Sequence, residues 1–325
     1  MSTLLFLATS DGLVVCQGSR DEWTETSRSL SGQRITSVVA REGLVLAGAH
    51  DGIFRSNDLG QTWEEASAGL TTRYVRWLAF HPEVSDLEFA GVEPAGIFVS
   101  QDGGDTWREC TEIPPLREKY GWFLPYSSGA GCVRGFAFHG RRGYAAVEVG
   151  GVLRSDDSGG AWRLADGSDG KPDLSGLPEP FIYPDVHSLN AHPSSLDLVF
   201  APTGGGFYRS EDGGATWELL YDCYCRAAWV DPKNPRHLVL SPADGVDRNG
   251  RVELTRDGGG TWQLASTGLD VPWPRGMVER FFQVGGELLA ILSNGQLLAA
   301  PLEILAWRRI LPEVGGITAA ASMRV

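Results

Sequence analysis

Short apolar runs and Gly-rich polar turns alternate along this chain with a period of 40 to 55 residues. Within one period the pattern is VRWLAF, LEFAGV, GIFVS and TWREC, four segments rich in Val, Ile, Leu and aromatics and bounded by Gly, Asp and Pro. Segments of that length and composition predict β-strands. The order recurs in VRGFAFHG…YAAVEVGGVLRS, VHSLNAHP…LVFAPTGGGFYRS and CRAAWVDP…HLVLSPADG, with Pro or Gly turning the first strand into the second. Trp23, Trp63, Trp107, Trp162, Trp217, Trp262 and Trp307 mark seven such units. A repeat of this length built from four strands predicts an all-β, seven-bladed β-propeller.

The two ends of the chain predict how the ring closes. The first unit begins with its second strand, LLFLAT, while the C-terminus carries a spare segment, GITAAASM, that resembles RITSVVA of the second unit. The expected ring is one domain spanning residues 1–325, with residues 317–323 as the inner strand of the first blade. Closure of this kind leaves few open strand edges.

Five units carry a shared phrase between their third and fourth strands: SNDLGQTW, SQDGGDTW, SDDSGGAW, SEDGGATW and TRDGGGTW. In SxDxGxTW the Ser and Asp side chains are suited to bond turn amides, the Gly takes a conformation other residues avoid, and the Trp packs between strands. These phrases resemble the Asp-box, or BNR, repeat of sialidases, xyloglucanase-type glycosidases, sortilin-like receptors and photosystem II assembly factors. The resemblance covers essentially the whole chain and implies the propeller fold. In those families the box is a folding element remote from the catalytic centre, so it implies no activity.

Composition narrows the classes of partner. A net charge of -13 and a pI near 4.9 disfavour nucleic acid and anionic membranes as partners. The N-terminus has no basic segment before a brief apolar run, so a cytoplasmic location is expected. Five scattered cysteines, Cys16, Cys110, Cys132, Cys223 and Cys225, fit reduced thiols better than a disulfide framework.

Against that acidic background, the residue predicted to open the inner strand is Arg34, Arg76, Arg134, His187, Arg226 and Arg280 in six consecutive blades, with Gly316 in the clasp. One reading is an arginine-lined pocket for a carboxylate or phosphate at the mouth of the central channel. The other is that each arginine pairs with a carboxylate of a neighbouring blade and ties the ring together. The turns expected on the same face carry Asp11, His50, Asp51, Glu93, Glu148, Asp244 and Asp247. Glu93 and Glu148 occupy matching places, and with His187 they are the candidate catalytic residues of a glycosidase-like hydrolase or a lyase.

Two long insertions, each predicted to arch over the mouth, bring Tyr120, Trp122, Phe123, Tyr126, Phe181 and Tyr183. Tyr120, Trp122, Tyr126 and Tyr183 therefore join the arginines and His50 as candidate ligand-binding residues, suited to a sugar acid, an aromatic acid or a phosphorylated metabolite. No cofactor is expected, although His50, Glu93, Glu148 and His187 are candidates to converge on a divalent cation. His81, His139 and His192 recur at the far end of inner strands, where a turn-capping role is expected. No phosphate loop, GxSxG elbow or HExxH motif occurs.

Similarity to sialidases would imply an arginine triad, a Tyr nucleophile activated by Glu, and an Asp acid. Only Arg34-Ile35-Thr36 approximates their RIP phrase, and seven blades replace their six, so classical sialidase activity is not expected. The alternative is a noncatalytic protein-binding or assembly propeller using an arginine-rich face. An enzyme predicts a deep cavity with Glu93 or Glu148 unpaired; a docking module predicts an open, flat face.

Overall fold

A computed structural model describes residues 2–19, 22–175 and 180–325. Seven antiparallel four-stranded sheets form a ring, and Ile317–Arg324 pairs with Thr3–Thr9 to complete the first sheet. The chain is therefore a seven-bladed β-propeller clasped by its C-terminal strand. The inner strands of blades two to seven are Ile35–Arg41, Val75–Phe80, Cys132–His139, Asn190–Ala191, Tyr224–Val230 and Val278–Val284. Among the described residues, no helix is long and apolar enough to cross a membrane.

Hydrophobic burial lies mainly between blades. Phe89, Val99, Val133, Val147 and Trp162 share one apolar cluster across blades three and four, and Leu5, Cys16, Leu289 and Ile310 share another across blades seven and one. No single four-stranded sheet could bury both faces alone, so each blade is stabilised by its neighbours.

The Asp-boxes hold their turns by the bonds their residue types predict. In blade two, Asp58 accepts the Gln61 and Thr62 amides at 3.0 and 2.9 Å and the Thr62 hydroxyl at 2.6 Å, while the Ser56 hydroxyl receives the Gly60 amide at 2.8 Å. The bonds from Thr62, with help from Ser56, draw the Asp58 carboxyl down to about 2. In blade three the box Trp reaches further. Trp107 is 4% exposed, and its indole N–H donates to the Ala66 carbonyl of the preceding blade at 3.0 Å. Trp107→Ala is expected to cost about 3–5 kcal/mol through the cavity and the lost interblade bond, read as a fall in the urea midpoint.

A structural irregularity at the channel mouth decides what faces the axis. Most inner strands carry a β-bulge near the start of their pairing, between Ile35 and Ser37, Val75 and Trp77, Val133 and Gly135, Cys225 and Ala228, and Val278 and Arg280, and the clasp carries one opposite Ala8 and Thr9. A bulge inserts an unpaired residue and re-aims its side chain. The bulged residues are Thr36, Arg76, Arg134, Glu279 and Thr318, with Arg226 in the wider bulge of blade six. His187 takes the matching place in blade five, since it bonds the Cys225 carbonyl much as Thr36 bonds that of Val75 and Thr318 that of Ile35. The register expected from sequence therefore shifts at three positions: Thr36 replaces Arg34, Glu279 replaces Arg280, and Thr318 replaces Gly316.

Candidate functional site

The channel mouth opens into a cavity of about 670 Å³. Of the residues singled out from sequence, Arg34, His50, Arg76, Tyr126, Arg134, Glu148, Arg226 and Arg280 line it. Sequence reasoning missed Tyr74, Asp185, Tyr224 and Glu279, which line it as well. Glu279 was legible in principle, because it directly precedes Arg280 in GMVERFF, but aligning blades on arginine concealed it.

The other named residues sit back from the opening. Glu93 is buried behind Arg76, where it accepts the Ser127 hydroxyl. His187 is buried in the wall beside Asp185. The first insertion folds into a short helix, Ile113–Tyr120, whose Tyr120 packs on the apolar cluster of blades three and four. Trp122 is also buried in that cluster, with its indole N–H on the Gly170 carbonyl at 2.8 Å. Tyr183 packs against the apolar cluster of blades four and five, and its hydroxyl donates to the Leu174 carbonyl at 2.9 Å. Tyr120, Trp122 and Tyr183 thus spend their rings on packing, Phe123 is exposed, and Tyr126 is the candidate aromatic that reaches the cavity.

The charges form an alternating ladder. Arg76 meets Glu93 at 2.9 Å and Glu148 at 3.9 Å; Arg134 meets Glu148 at 3.0 Å and Glu279 at 3.9 Å; Arg226 bonds Glu279. Burial would raise the Glu148 carboxyl, but Arg134, with Tyr126 and Arg76, holds it far below the usual carboxylate range. Three of the predicted arginines therefore brace the ring as well as facing the cavity.

Arg280 differs from those three. Among the described residues it has no carboxylate within ion-pair distance; its guanidinium donates to the Thr36 carbonyl at 3.1 Å and lies 4.0 Å from the centre of the Trp77 ring. It thus reaches from blade seven towards blades two and three. Burial, reinforced by the Arg134 guanidinium, opposes its charge. Arg34, exposed at the rim, is likewise without an ion pair among the described residues. The His50 ring lies tilted against that of Tyr74, with centroids 4.0 Å apart, and burial together with Arg34 and Arg76 disfavours its charged form.

Away from the mouth, the turn-capping expectation fits the geometry at two histidines. The His81 ring accepts the Glu83 and Val84 amides at 3.2 and 3.1 Å, and His192 accepts the Ser194 amide at 3.2 Å. All five cysteines are free thiols.

Fold and site together define a single-ring, seven-bladed propeller with a charged channel mouth. No family model matches the chain. It is 23% identical over 274 residues to the oligoxyloglucan-reducing end-specific xyloglucanase of Emericella nidulans, covering 69% of this chain and 32% of that protein. The chain thus spans about a third of the curated relative it matches. Solved structures similar to it include an ancestral GH74 enzyme, at TM-score 0.62 and 17% identity over 90% of this chain and 38% of that one. They also include YCF48 with a bound peptide, at TM-score 0.61 and 15% identity over 91% and 87% of the two chains. These likenesses show the fold.

Proposed function

We infer that this propeller binds a small anionic ligand, through a carboxylate or phosphate group, in the cavity at its channel mouth. The observation that carries the reading is Arg280, an arginine in the cavity wall without a carboxylate partner. Five arginines line the cavity against three carboxylates, Glu148, Asp185 and Glu279. A planar guanidinium held by a carbonyl and an indole face has donors left for an oxyanion, and bidentate contacts in a confined site are strong.

The paired state of Glu93 and Glu148 argues for binding rather than for glycosidase-like acid and base chemistry. A general acid must hold a proton near neutral pH, and Glu148 is held ionised by two guanidinium groups. A second reading, a protein partner docked on the same mouth, is supported by the likeness to peptide-bound YCF48, which covers most of both chains.

Titration calorimetry with acetate, benzoate, glucuronate and inorganic phosphate tests the reading. At least one is expected to bind with one-to-one stoichiometry. Arginine keeps its charge throughout the working pH range, so wild-type affinity is expected to stay level with pH while Arg280→Met loses most of it. Absence of binding by all four anions at millimolar concentration would defeat the small-anion reading.

A further inference from the structure

We propose that Glu148, Asp185 and His187 form a binding site for one divalent transition-metal cation in the wall of the channel mouth. Their ligand atoms all lie within 4.8 Å of one another. Glu148 and Asp185 line the cavity, and the His187 side chain behind them is completely buried.

The hydrogen-bond pattern around His187 leaves its inner nitrogen aimed at this cluster. Nδ1 lies 2.7 Å from the Cys225 carbonyl, which only accepts, so Nδ1 carries the hydrogen. A backbone carbonyl on one ring nitrogen is the usual outer-shell partner of a ligating imidazole, since it fixes the ring and leaves the other nitrogen's lone pair free. That nitrogen, Nε2, faces Asp185 Oδ2 at 3.1 Å. The Tyr224 hydroxyl, which accepts from Arg226 Nε at 3.0 Å, lies 3.4 Å from Nε2, long for an O–H donor, so the Nε2 lone pair stays open. A lone pair and a carboxylate oxygen at that separation repel each other unless a positive species joins them.

A second proton on Nε2 would join Asp185 Oδ2 but leave the rest of the carboxylate unanswered. Asp185 Oδ1 is buried and has no hydrogen-bond partner among the described residues. A cation held by the carboxylate satisfies both oxygens through one centre. Two carboxylates and a neutral imidazole match a divalent charge and a donor set suited to zinc, iron or manganese. With three protein ligands, the remaining coordination positions open towards the cavity. Arg76 and Arg134 beside Glu148 oppose the cation, so an anion entering the cavity would favour its binding.

The test uses the full chain after chelator treatment, with Mn²⁺ alone as the probe, because free thiols compete poorly for this hard ion. Electron spin resonance is expected to count one bound Mn²⁺ per chain, and Asp185→Asn to weaken binding at least tenfold with an unchanged metal-free melting temperature. Should that variant fail to fold, the nitrogen-15 resonances of His187 in the wild type decide. They are expected to broaden before those of the other five histidines as substoichiometric Mn²⁺ is added. Absence of one-to-one binding, wild-type affinity in the variant, or a His187 ring protonated on both nitrogens and untouched by Mn²⁺ would overturn the site. Because no anion is present, these outcomes leave the anion reading to its own test.

Discussion

Replacing Arg280 with methionine is expected to raise the stability of the unliganded protein by about 1–3 kcal/mol while removing the bulk of its anion affinity. Arg280 lies in the wall of a charged cavity without a carboxylate partner among the described residues, and its charge is opposed by burial and by Arg134. Exchanging a charge that lacks a compensating ion pair for an apolar side chain of similar length removes a desolvation penalty. Methionine keeps the stem over Trp77 and gives up the single bond to the Thr36 carbonyl. A chain that retains a destabilising charge at its mouth has the signature of a site kept for a ligand.

Because an arginine stays protonated at every accessible pH, the penalty is a fixed cost, and the stability gap between wild type and Arg280→Met should be level with pH. Urea denaturation, paired with anion titration, measures both halves. Equal loss of stability and binding would instead mark Arg280 as a brace of the ring.

Glu148→Gln is expected to act in the opposite direction, costing about 3–5 kcal/mol. The Glu148 side chain is 4% exposed and meets both Arg134 and Arg76, and the Cys132 thiol donates to the same carboxylate at 3.3 Å. Breaking a buried pair from one side strands the partner's charge, which costs far more than the pair contributes while intact. Here two guanidinium groups would be left underpaired at once. A lower urea midpoint with an unchanged slope is the expected result. A cost below about 1 kcal/mol, the value of an exposed pair, would mean that the ladder does not brace the ring.

Much of the architecture was legible from sequence because it is local and repeated. Each Asp-box bonds within a few residues of itself, as Ser56, Asp58 and Thr62 do, so the phrase alone locates a turn between two strands. Seven tryptophans count the blades, and the spare segment near Ile317 announces the clasp. The site was only partly legible. Arg76, Arg134 and Arg226 share one structural position near the start of their inner strands as the pattern implied, a bulge that the sequence did not announce, while Arg34 and Arg280 lie beside such positions instead of occupying them.

The reason lies in the bulges. A strand read by alternation assigns each side chain to a face, but one inserted residue reverses the assignment. Whether Glu279 or Arg280 is the inserted one depends on pairing with Leu292 and Ile291 in the next strand. Nothing in GMVERFF itself specifies that choice. The aromatic loops failed for a related reason: Trp122 and Tyr120 read as exposed platforms until the groove between blades offered them a better apolar partner.

By itself, then, the sequence determined the number of blades, the turn chemistry of each and the closure of the ring, all set by interactions within a repeat or between adjoining ones. Only the tertiary structure decided which charges meet. Glu93, Arg76, Glu148, Arg134, Glu279 and Arg226 are drawn from four blades and become neighbours because the ring converges on its axis. Which arginines are left over is a property of that convergence, since a charge becomes unpaired only relative to every other charge brought within reach.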